Sequence, residues 1–188
     1  MKNLLKFSLI FAAILFFACG NKPQPKRYEY FRIDLPEHKY WTNNSQQQYS
    51  FEMSDYATIS PYIGDGQGIN IDYQRINGRI HLTYLPIDID TFQVVAEECR
   101  KLAYEHSIKA NAIIANYYDN DTAKVYGALY KITGNAASPV QFFITDSTRH
   151  FLRGALYFNN LPNYDSIYPV AEYVNQDIVH LIETLRWK

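Results

Sequence analysis

Alternation of apolar and polar residues runs through most of the chain after residue 28 and predicts a β-rich domain. In residues 49–53, Tyr49, Phe51 and Met53 alternate with polar side chains, as they do in a strand that buries one face. The 17 tyrosines and 11 phenylalanines supply much of this pattern. This period and its turn signals predict strands over residues 28–36, 49–53, 57–63, 112–118, 124–133, 140–145 and 150–158.

A hairpin is predicted within residues 69–86, "INIDYQRINGRIHLTYLP". Asn77-Gly78 is typical of a two-residue type I′ turn, in which both residues need a positive φ. That turn pairs Tyr73 with Leu82. This register divides the side chains of the hairpin into an apolar face (Ile71, Tyr73, Ile80, Leu82 and Tyr84) and a polar face (Asp72, Gln74, His81 and Thr83).

Two segments change to the 3.6-residue period of amphipathic helices. Asp90 is expected to cap the first helix, with Gln93 completing a capping box. Asp165 or Ser166 is expected to open the second, with Pro169 in its first turn. The apolar stripes are Phe92, Val95, Ala96, Cys99, Leu102, Ala103 and His106 in the first helix and Val170, Val174, Ile178, Leu181, Ile182 and Leu185 in the second. The order of elements predicts an α+β fold, in which two main helices flank an antiparallel sheet of about six to eight strands.

The beginning of the chain predicts export and lipidation rather than part of the fold. Two lysines precede an apolar run, residues 7–18, that is too short to span a bilayer, and Ala18 comes directly before Cys19. The pattern is similar to a bacterial lipoprotein signal, in which the cysteine becomes the lipidated first residue of the mature chain. We therefore expect a signal peptide over residues 1–18, a lipidated N-terminus and tether over residues 19–27, and a single globular α+β domain over residues 28–188.

Cysteine count and charge limit the classes of partner. The chain has two cysteines, so lipidation of Cys19 would leave Cys99 without a disulfide partner. Cys99 itself is interpreted as a small buried hydrophobe in the stripe of the first helix. A formal net charge of −1 gives no basis for binding nucleic acid or an anionic membrane surface. Membrane attachment is expected through the N-terminal lipid.

Residues 145–154, "TDSTRHFLRG", bring an acid, hydroxyls, an imidazole and two guanidinium groups together. Ser147 and His150 are hydrolase candidates only by being close in sequence, since the chain has no G-x-S-x-G motif. A turn over residues 146–149 is the simpler interpretation, because aspartate followed by serine and threonine favours type I geometry. The histidines lack metal-ligand spacing, and no glycine-rich loop opens a helix. The sequence thus identifies no catalytic residue, metal site, cofactor or small-molecule substrate.

Arg153 lies in the middle of an otherwise apolar strand, where it must meet water, a carboxylate or a ring. The same face of the predicted hairpin presents Phe143, Phe151 and Tyr157, and aromatic residues together with arginine are typical of protein interfaces. These four residues form a candidate partner-binding site. The alternative is a face that another element of the same domain covers, with Arg153 paired internally.

Three segments carry a resemblance to a known family. They are "YFRIDLPEHKYW" (30–41), "YGALYKITGNAASPVQFFITDSTRHFLRGALYFNNLPN" (126–163) and "DIVHLIETLRWK" (177–188). Together with Cys19, they resemble the gliding motility lipoproteins of the GldD family, found in gliding Bacteroidetes. The order of a strand, "DLP", hairpins, a helix and a closing helix is also similar to the PsbP/Mog1-type α+β sandwich, a likeness that concerns the fold alone.

The resemblance implies a cell-envelope protein required for gliding motility. It implies a non-enzymatic scaffold or assembly factor, in a machinery linked to type IX secretion, with other gliding-motility envelope lipoproteins as partners. The expected location is the outer membrane, with the domain facing the periplasm. The residues themselves leave two alternatives open: an envelope enzyme that uses residues 146–153, and a carrier of a small apolar ligand that uses the sheet face around Arg153.

Overall fold

The structure is a computed structural model, and it describes residues 33–43, 47–62, 67–105, 109–160 and 163–188. The predicted signal peptide, the predicted lipidation site Cys19 and the predicted tether lie outside these residues. The fold is an α+β sandwich, as the sequence predicts. Its elements are β1 (Tyr40–Asn43), β2 (Tyr49–Ser54), β3 (Thr58–Pro61), β4 (Gln67–Tyr73), β5 (Gly78–Pro86), α1 (Ile89–Glu105), β6 (Ala110–Asn120), β7 (Val125–Gly134), β8 (Val140–Thr145), β9 (His150–Phe158), α2 (Tyr164–Thr184) and β10 (Arg186–Trp187).

The strands form two antiparallel sheets. The large sheet has seven strands in the order β3-β4-β5-β9-β8-β7-β6, and the small sheet has three in the order β1-β2-β10. Strands β5 and β9 are neighbours in the large sheet although α1 and three strands separate them along the chain. This pairing sets the hairpin of residues 67–86 beside the strand that contains Arg153.

The main core lies on one side of the large sheet, which we call the inner face. The buried side chains of this face, such as Ile71, Leu82 and Leu152, join one cluster with residues of α2 and β2. Each fully buried side chain of this size stabilises the fold by about 1.5–3 kcal/mol relative to its exposed state. Residues that point to the other side, which we call the outer face, belong to a smaller cluster. Ala128 and Tyr130 of β7 pack there with Ala103 of α1.

Helix α2 covers the inner face, and the whole predicted stripe from Val170 to Leu185 is buried. Its predicted start was wrong. Asn163 precedes the first helical residue, and the amide of Tyr164 donates to Oδ1 of Asn135 at 2.9 Å. The helix therefore begins before the predicted caps Asp165 and Ser166, and Pro169 lies beyond its first turn.

Helix α1 is capped by Asp88, not by Asp90. The amide of Thr91 donates to Oδ1 of Asp88 at 2.9 Å, and the amide of Asp88 donates to Oγ1 of Thr91 at 3.1 Å. This reciprocal pair is a capping box with threonine in the place usually taken by glutamate or glutamine. Only Cys99 and Ala103 are buried within this helix. Of the remaining stripe, Phe92, Val95, Ala96 and Leu102 are half-buried, and His106 lies outside the described residues.

The predicted hairpin is confirmed, but its turn is longer than predicted. Residues 74–77 form the loop, in which a 3₁₀ turn is followed by Asn77 at φ 51°. Tyr73 consequently pairs with Gly78 instead of Leu82. A displacement of four residues along the partner strand is even, so each side chain keeps its predicted face. Ile71, Tyr73, Ile80, Leu82 and Tyr84 are all buried.

The prediction of a first strand over residues 28–36 is wrong for residues 33–36, the part of this range that the structure describes. Residues 33–39 have no regular secondary structure, and β1 begins at Tyr40. The described part of residues 28–36 ends at Pro36, which has no backbone N–H for a sheet ladder. Residues 28–32 lie outside the described residues, as does residue 63 at the end of the predicted strand 57–63.

Candidate functional site

The polar residues of "TDSTRHFLRG" build a turn where the sequence predicts one, but the positive φ of Ser147 departs from the predicted type I geometry. Oδ1 of Asp146 accepts hydrogen bonds from the backbone amides of Thr148, Arg149 and His150 at 2.8–3.0 Å. The Thr148 hydroxyl donates to Oδ2 at 2.8 Å, and Ser147 has a φ of 63°. Burial alone would raise the pKa of Asp146, but these four donors together outweigh it and hold the pKa at about 2. The carboxylate is thus ionised at neutral pH, and its oxygens are occupied by the donors of the turn.

His150 is also engaged within the fold. Its ring is buried, with Nδ1 2.8 Å from the hydroxyl of Tyr84, and it stacks on the ring of Trp187 at a centroid distance of 5.1 Å. Asp146 contacts His150 through the backbone amide. The pair therefore has the geometry of a turn and a packed aromatic cluster, and the carboxylate does not orient the imidazole.

Cys99 is a buried thiol in α1. Burial raises its pKa to about 11, against the opposing effect of the Arg153 charge. A thiol with this pKa is protonated at neutral pH and is a poor nucleophile. This agrees with its interpretation as a small buried hydrophobe.

The four residues of the predicted partner-binding site occupy two different environments. Phe151 is completely buried, and the ring of Phe143 stacks on it at 5.3 Å with an interplanar angle of 7°. Phe143 also packs against the cluster that contains Ala103 of α1. Arg153 and Tyr157 are half-buried and line open space farther along the outer face. Phe143 is also half-buried, so of the four residues only Phe151 is fully buried.

The open space is a cleft over β4, β5 and β9, which we call the outer cleft. It consists of two cavities, of about 620 and 580 Å³, that share His81 and Tyr157 in their walls. Asp72 and Arg79 line the first cavity, and Arg153 lines the second. Tyr62 also lines the second cavity. Its remaining walls are side chains of α1, β5 and β9: Thr83, Leu85, Val95, Glu98, Cys99 and Ala155.

His81 has a fixed tautomer. Nδ2 of Asn70 donates to the carbonyl oxygen of Pro61 at 2.9 Å, which turns Oδ1 of Asn70 toward Nδ1 of His81 at 2.7 Å. Nδ1 must then carry the proton, because Oδ1 can only accept. Burial and, to a smaller extent, the Arg79 charge lower the pKa of His81, with a partial opposing effect of Asp72. At neutral pH the ring is thus uncharged, and Nε2 is a hydrogen-bond acceptor.

Arg153 differs from other arginines of the described residues in the state of its guanidinium. In the part of the chain that the structure describes, its side chain makes no hydrogen bond and no ion pair within 4.0 Å, although Glu98 lines the same cavity. Other arginines differ: Arg79 bonds Asp72 at 2.5 Å, and Arg100 bonds Glu97 twice at 2.7 Å. An arginine fork that is half-buried and unpaired is suited to bind an anionic oxygen pair.

The sequence did not identify the outer cleft as a whole. The sequence predicted the polar face of the hairpin, which includes His81 and Thr83. No pattern within the sequence indicated that this face lies beside Arg153. The connection comes from the β5–β9 pairing, in which Thr83 lies directly opposite Arg153. A polar strand face and a lone arginine in an apolar strand were the available signals.

A second polar group that the sequence missed surrounds Asp177, which is buried in α2. Its Oδ1 contacts Nδ1 of His38 at 2.6 Å and accepts from the Tyr40 hydroxyl at 3.0 Å, and its Oδ2 accepts from the Tyr73 hydroxyl at 2.9 Å. Burial first, and then the Asp177 charge, raise the pKa values of Tyr40 and Tyr73. The only sequence signal was an acid at a stripe position, three residues after Val174. This group joins three segments of the fold.

Two further observations concern metal binding and membrane spanning by the described residues. No group of three or more His, Cys, Asp and Glu side chains among them is arranged to hold a metal ion. Their helices include none that has the length and apolar character needed to cross a membrane.

Comparison with known proteins gives a family for almost the whole chain. The family model described as gliding motility lipoprotein GldD matches residues 20–187, which include every described element. A search of curated proteins found no match. The match begins directly after Cys19, the residue predicted to carry the lipid, and covers both the outer cleft and the Asp177 group. The chain therefore belongs to the gliding motility lipoprotein GldD family.

Proposed function

We propose that this gliding motility lipoprotein is a non-enzymatic scaffold or assembly factor of the motility machinery, in the part linked to type IX secretion. The side chains that suggested chemistry have structural uses. Asp146 holds a turn, His150 packs between Tyr84 and Trp187, and the Cys99 thiol is buried with a raised pKa. These uses favour a protein that binds others over one that transforms a substrate.

We further propose its placement. Residues 1–18 direct export, Cys19 carries the lipid, residues 19–27 form the tether, and residues 28–188 form the domain. The domain faces the periplasm from the outer membrane and contacts other gliding-motility envelope lipoproteins. Support comes from the family description as a lipoprotein and from the apolar run that precedes Cys19.

The observation that carries the scaffold proposal is the state of Arg153. Arg153 is half-buried, and its guanidinium has no hydrogen-bond partner among the described residues to offset the hydration that burial removes. A bound partner that supplied acceptors would recover this free energy. Arginine and tyrosine are also the residue types that most often dominate interface energetics, and Tyr157 lies in the same cleft.

The test is photo-crosslinking in gliding cells that express the full-length chain. A photoreactive amino acid at Leu85, on the rim of the outer cleft, should capture an envelope lipoprotein of the motility machinery. The matched position is Tyr117, which is 79% exposed on β6 and distant from the cleft in the order of the sheet.

A Cys19→Ala strain tests the anchor in the same experiment. We expect it to lose surface spreading while the protein remains folded and detectable. Full spreading without the anchor, or equal capture of the same proteins from positions 85 and 117, would contradict the proposal.

A further inference from the structure

We infer that the outer cleft binds an acidic peptide segment of a partner protein, with a carboxylate on Arg153 and a peptide N–H donated to Nε2 of His81. This inference rests on the proposed scaffold function and names the chemistry of the partner. It assigns a binding role to His81, which none of the sequence patterns selected.

The cation side of the site is Arg153. In the sheet, residue 153 of β9 lies opposite Thr83 on one side and Phe143 on the other, and its side chain borders a cavity of about 580 Å³. The planar fork presents two parallel N–H groups that match the two oxygens of a carboxylate. Arg79, in the adjoining cavity, donates from Nε to Oδ1 of the Asp72 carboxylate at 2.5 Å.

The acceptor side of the site is His81. The chain of hydrogen bonds from Pro61 through Asn70 fixes the proton on Nδ1 and leaves Nε2 able to accept. In the described part of the chain, Nε2 has no hydrogen-bond partner. A ligand that satisfies the cleft must therefore offer an anion and a neutral donor together. A peptide that carries a carboxylate has both.

The charges around the cleft favour a single negative charge. Glu98 lines the same cavity as Arg153, and Asp72 in the next cavity is already neutralised by Arg79. Glu98 repels any anion at Arg153, but a carboxylate brings only one charge to the one guanidinium, whereas a phosphate dianion brings a second charge that Arg153 does not balance. Apolar walls from Leu85, Val95 and Tyr157 suit the side chains next to the acid.

The binding test uses the purified full-length lipoprotein in lipid nanodiscs and three pools of random pentapeptide amides. The central residue is glutamate in the first pool, glutamine in the second and phosphoserine in the third. A fourth pool has a glutamine centre and a free C-terminal carboxylate. Captured peptides are quantified by mass spectrometry.

We expect the glutamate pool to be retained about tenfold more than the glutamine pool, as the loss of one charge-assisted hydrogen-bond pair implies. Retention of the fourth pool at the level of the glutamate pool would show that the cleft accepts a carboxylate from a side chain or from a chain end, and retention of the glutamate pool alone would restrict it to a side chain. Both results support the inference. Equal retention of glutamate and glutamine pools, or stronger retention of phosphoserine, would overturn it.

Variants locate the binding. Arg153→Gln should reduce retention of the glutamate pool to that of the glutamine pool, and Arg153→Lys should restore only part of it because lysine lacks the fork. Arg149→Gln removes an exposed arginine of the neighbouring turn and should leave retention unchanged. A loss as large in Arg149→Gln as in Arg153→Gln would show general charge attraction instead of a site.

A stability measurement separates binding from structure. Since the guanidinium of Arg153 has no partner among the described residues, Arg153→Met should leave the thermal midpoint unchanged or raise it. A lower midpoint together with unchanged peptide retention would assign Arg153 a structural role and overturn the inference.

If Leu85 crosslinks a partner but no carboxylate pool is retained, this inference fails and the scaffold proposal stands. If crosslinking at Leu85 also fails, the scaffold proposal fails with it.

Discussion

At the scale of single residues, two buried carboxylates of the described domain have very different neighbours. Asp146 accepts from three backbone amides within four residues of itself. Asp177 contacts three side chains, His38, Tyr40 and Tyr73, that are between 104 and 139 residues away along the chain. The first carboxylate fixes a local turn, whereas the second joins separate segments. Both are fully satisfied, in contrast to the guanidinium of Arg153.

Replacing Asp146 with asparagine should destabilise the protein by about 1–2 kcal/mol at pH 7, because the amide carries no charge for the backbone donors. The pKa of about 2 in the folded state lies below the ordinary value of about 3.9. The carboxylate therefore stabilises the fold fully above pH 4, and this contribution is lost as the pH falls through about 2. Denaturant unfolding at several pH values measures the effect.

The control for this substitution is Asp119→Asn, an exposed acid on β6 that should change stability by less than about 0.5 kcal/mol. A difference between the wild type and Asp146→Asn that is the same at pH 2 and pH 6 would refute the assignment of the pKa to the turn.

What the sequence could predict follows the same division between local and distant contacts. The Asp146 turn was predictable, because all its donors lie within the next four residues. The Asp177 group was not, since no periodicity relates residue 177 to residue 38. Arg153 was recognised as unusual from its strand alone. Its surroundings depend on where α1 and β5 pack, and the sequence pattern does not contain that information.

At the scale of elements, the two helices cover the large sheet unequally. Helix α2 buries eight residues against the inner face, whereas α1 buries two, Cys99 and Ala103. The apolar stripe of α1 was predicted from its period, but a period does not tell how closely a helix lies on its sheet. This partial cover leaves the outer cleft open beside α1. The wrong turn length of the hairpin has a similar origin. The Asn-Gly dipeptide favoured a two-residue turn, and the division of side chains between the two faces is the same for a two-residue and a four-residue loop.

The pairing of β8 with β9 depends on a glycine. Phe142 lies directly opposite Gly154, and a Cβ atom built at residue 154 would approach the ring of Phe142 to 2.2 Å. Phe142 is buried and cannot move away without disturbing the core. We expect Gly154→Ala to destabilise the fold by about 1–3 kcal/mol. Thermal or denaturant unfolding of the full-length protein measures this.

Gly78→Ala provides the comparison, since its Cβ would lie 3.1 Å from the ring of the half-buried Phe158 and should cost less. A Phe142→Leu background should reduce the cost of Gly154→Ala, because the ring that causes the clash is gone. An unchanged cost in that background would place the strain elsewhere.

At the scale of the whole molecule, contacts between distant parts of the chain hold the small sheet to the large one. Strand β10 pairs with β2, with Trp187 opposite Tyr49. The Trp187 ring stacks on His150 of β9, and its Nε1 donates to the carbonyl oxygen of Lys124 at 2.9 Å. One side chain therefore contacts β2, β9 and the residue that precedes β7.

Removing this contact should weaken the whole fold. We expect Trp187→Ala to lower the free energy of unfolding by about 2–3 kcal/mol, since it deletes a large ring and leaves a carbonyl oxygen without its donor. Trp41→Ala is the matched control, because Trp41 is 46% exposed and should matter by less than about 0.5 kcal/mol. Equal losses of stability in the two variants would show that Trp187 is not the closing contact.

The pairing of β10 with β2 also determines when the protein can fold. When the ribosome has made residues 40–160, all seven strands of the large sheet and strands β1 and β2 of the small sheet are present. Helix α2 and strand β10 are still missing. The apolar inner face then lacks α2, which supplies a large part of the core, and β2 lacks its partner β10. Closure of the core must therefore wait until α2 and β10 have been made. Until then the chain is open and can be threaded through a membrane pore, as the export proposed above requires.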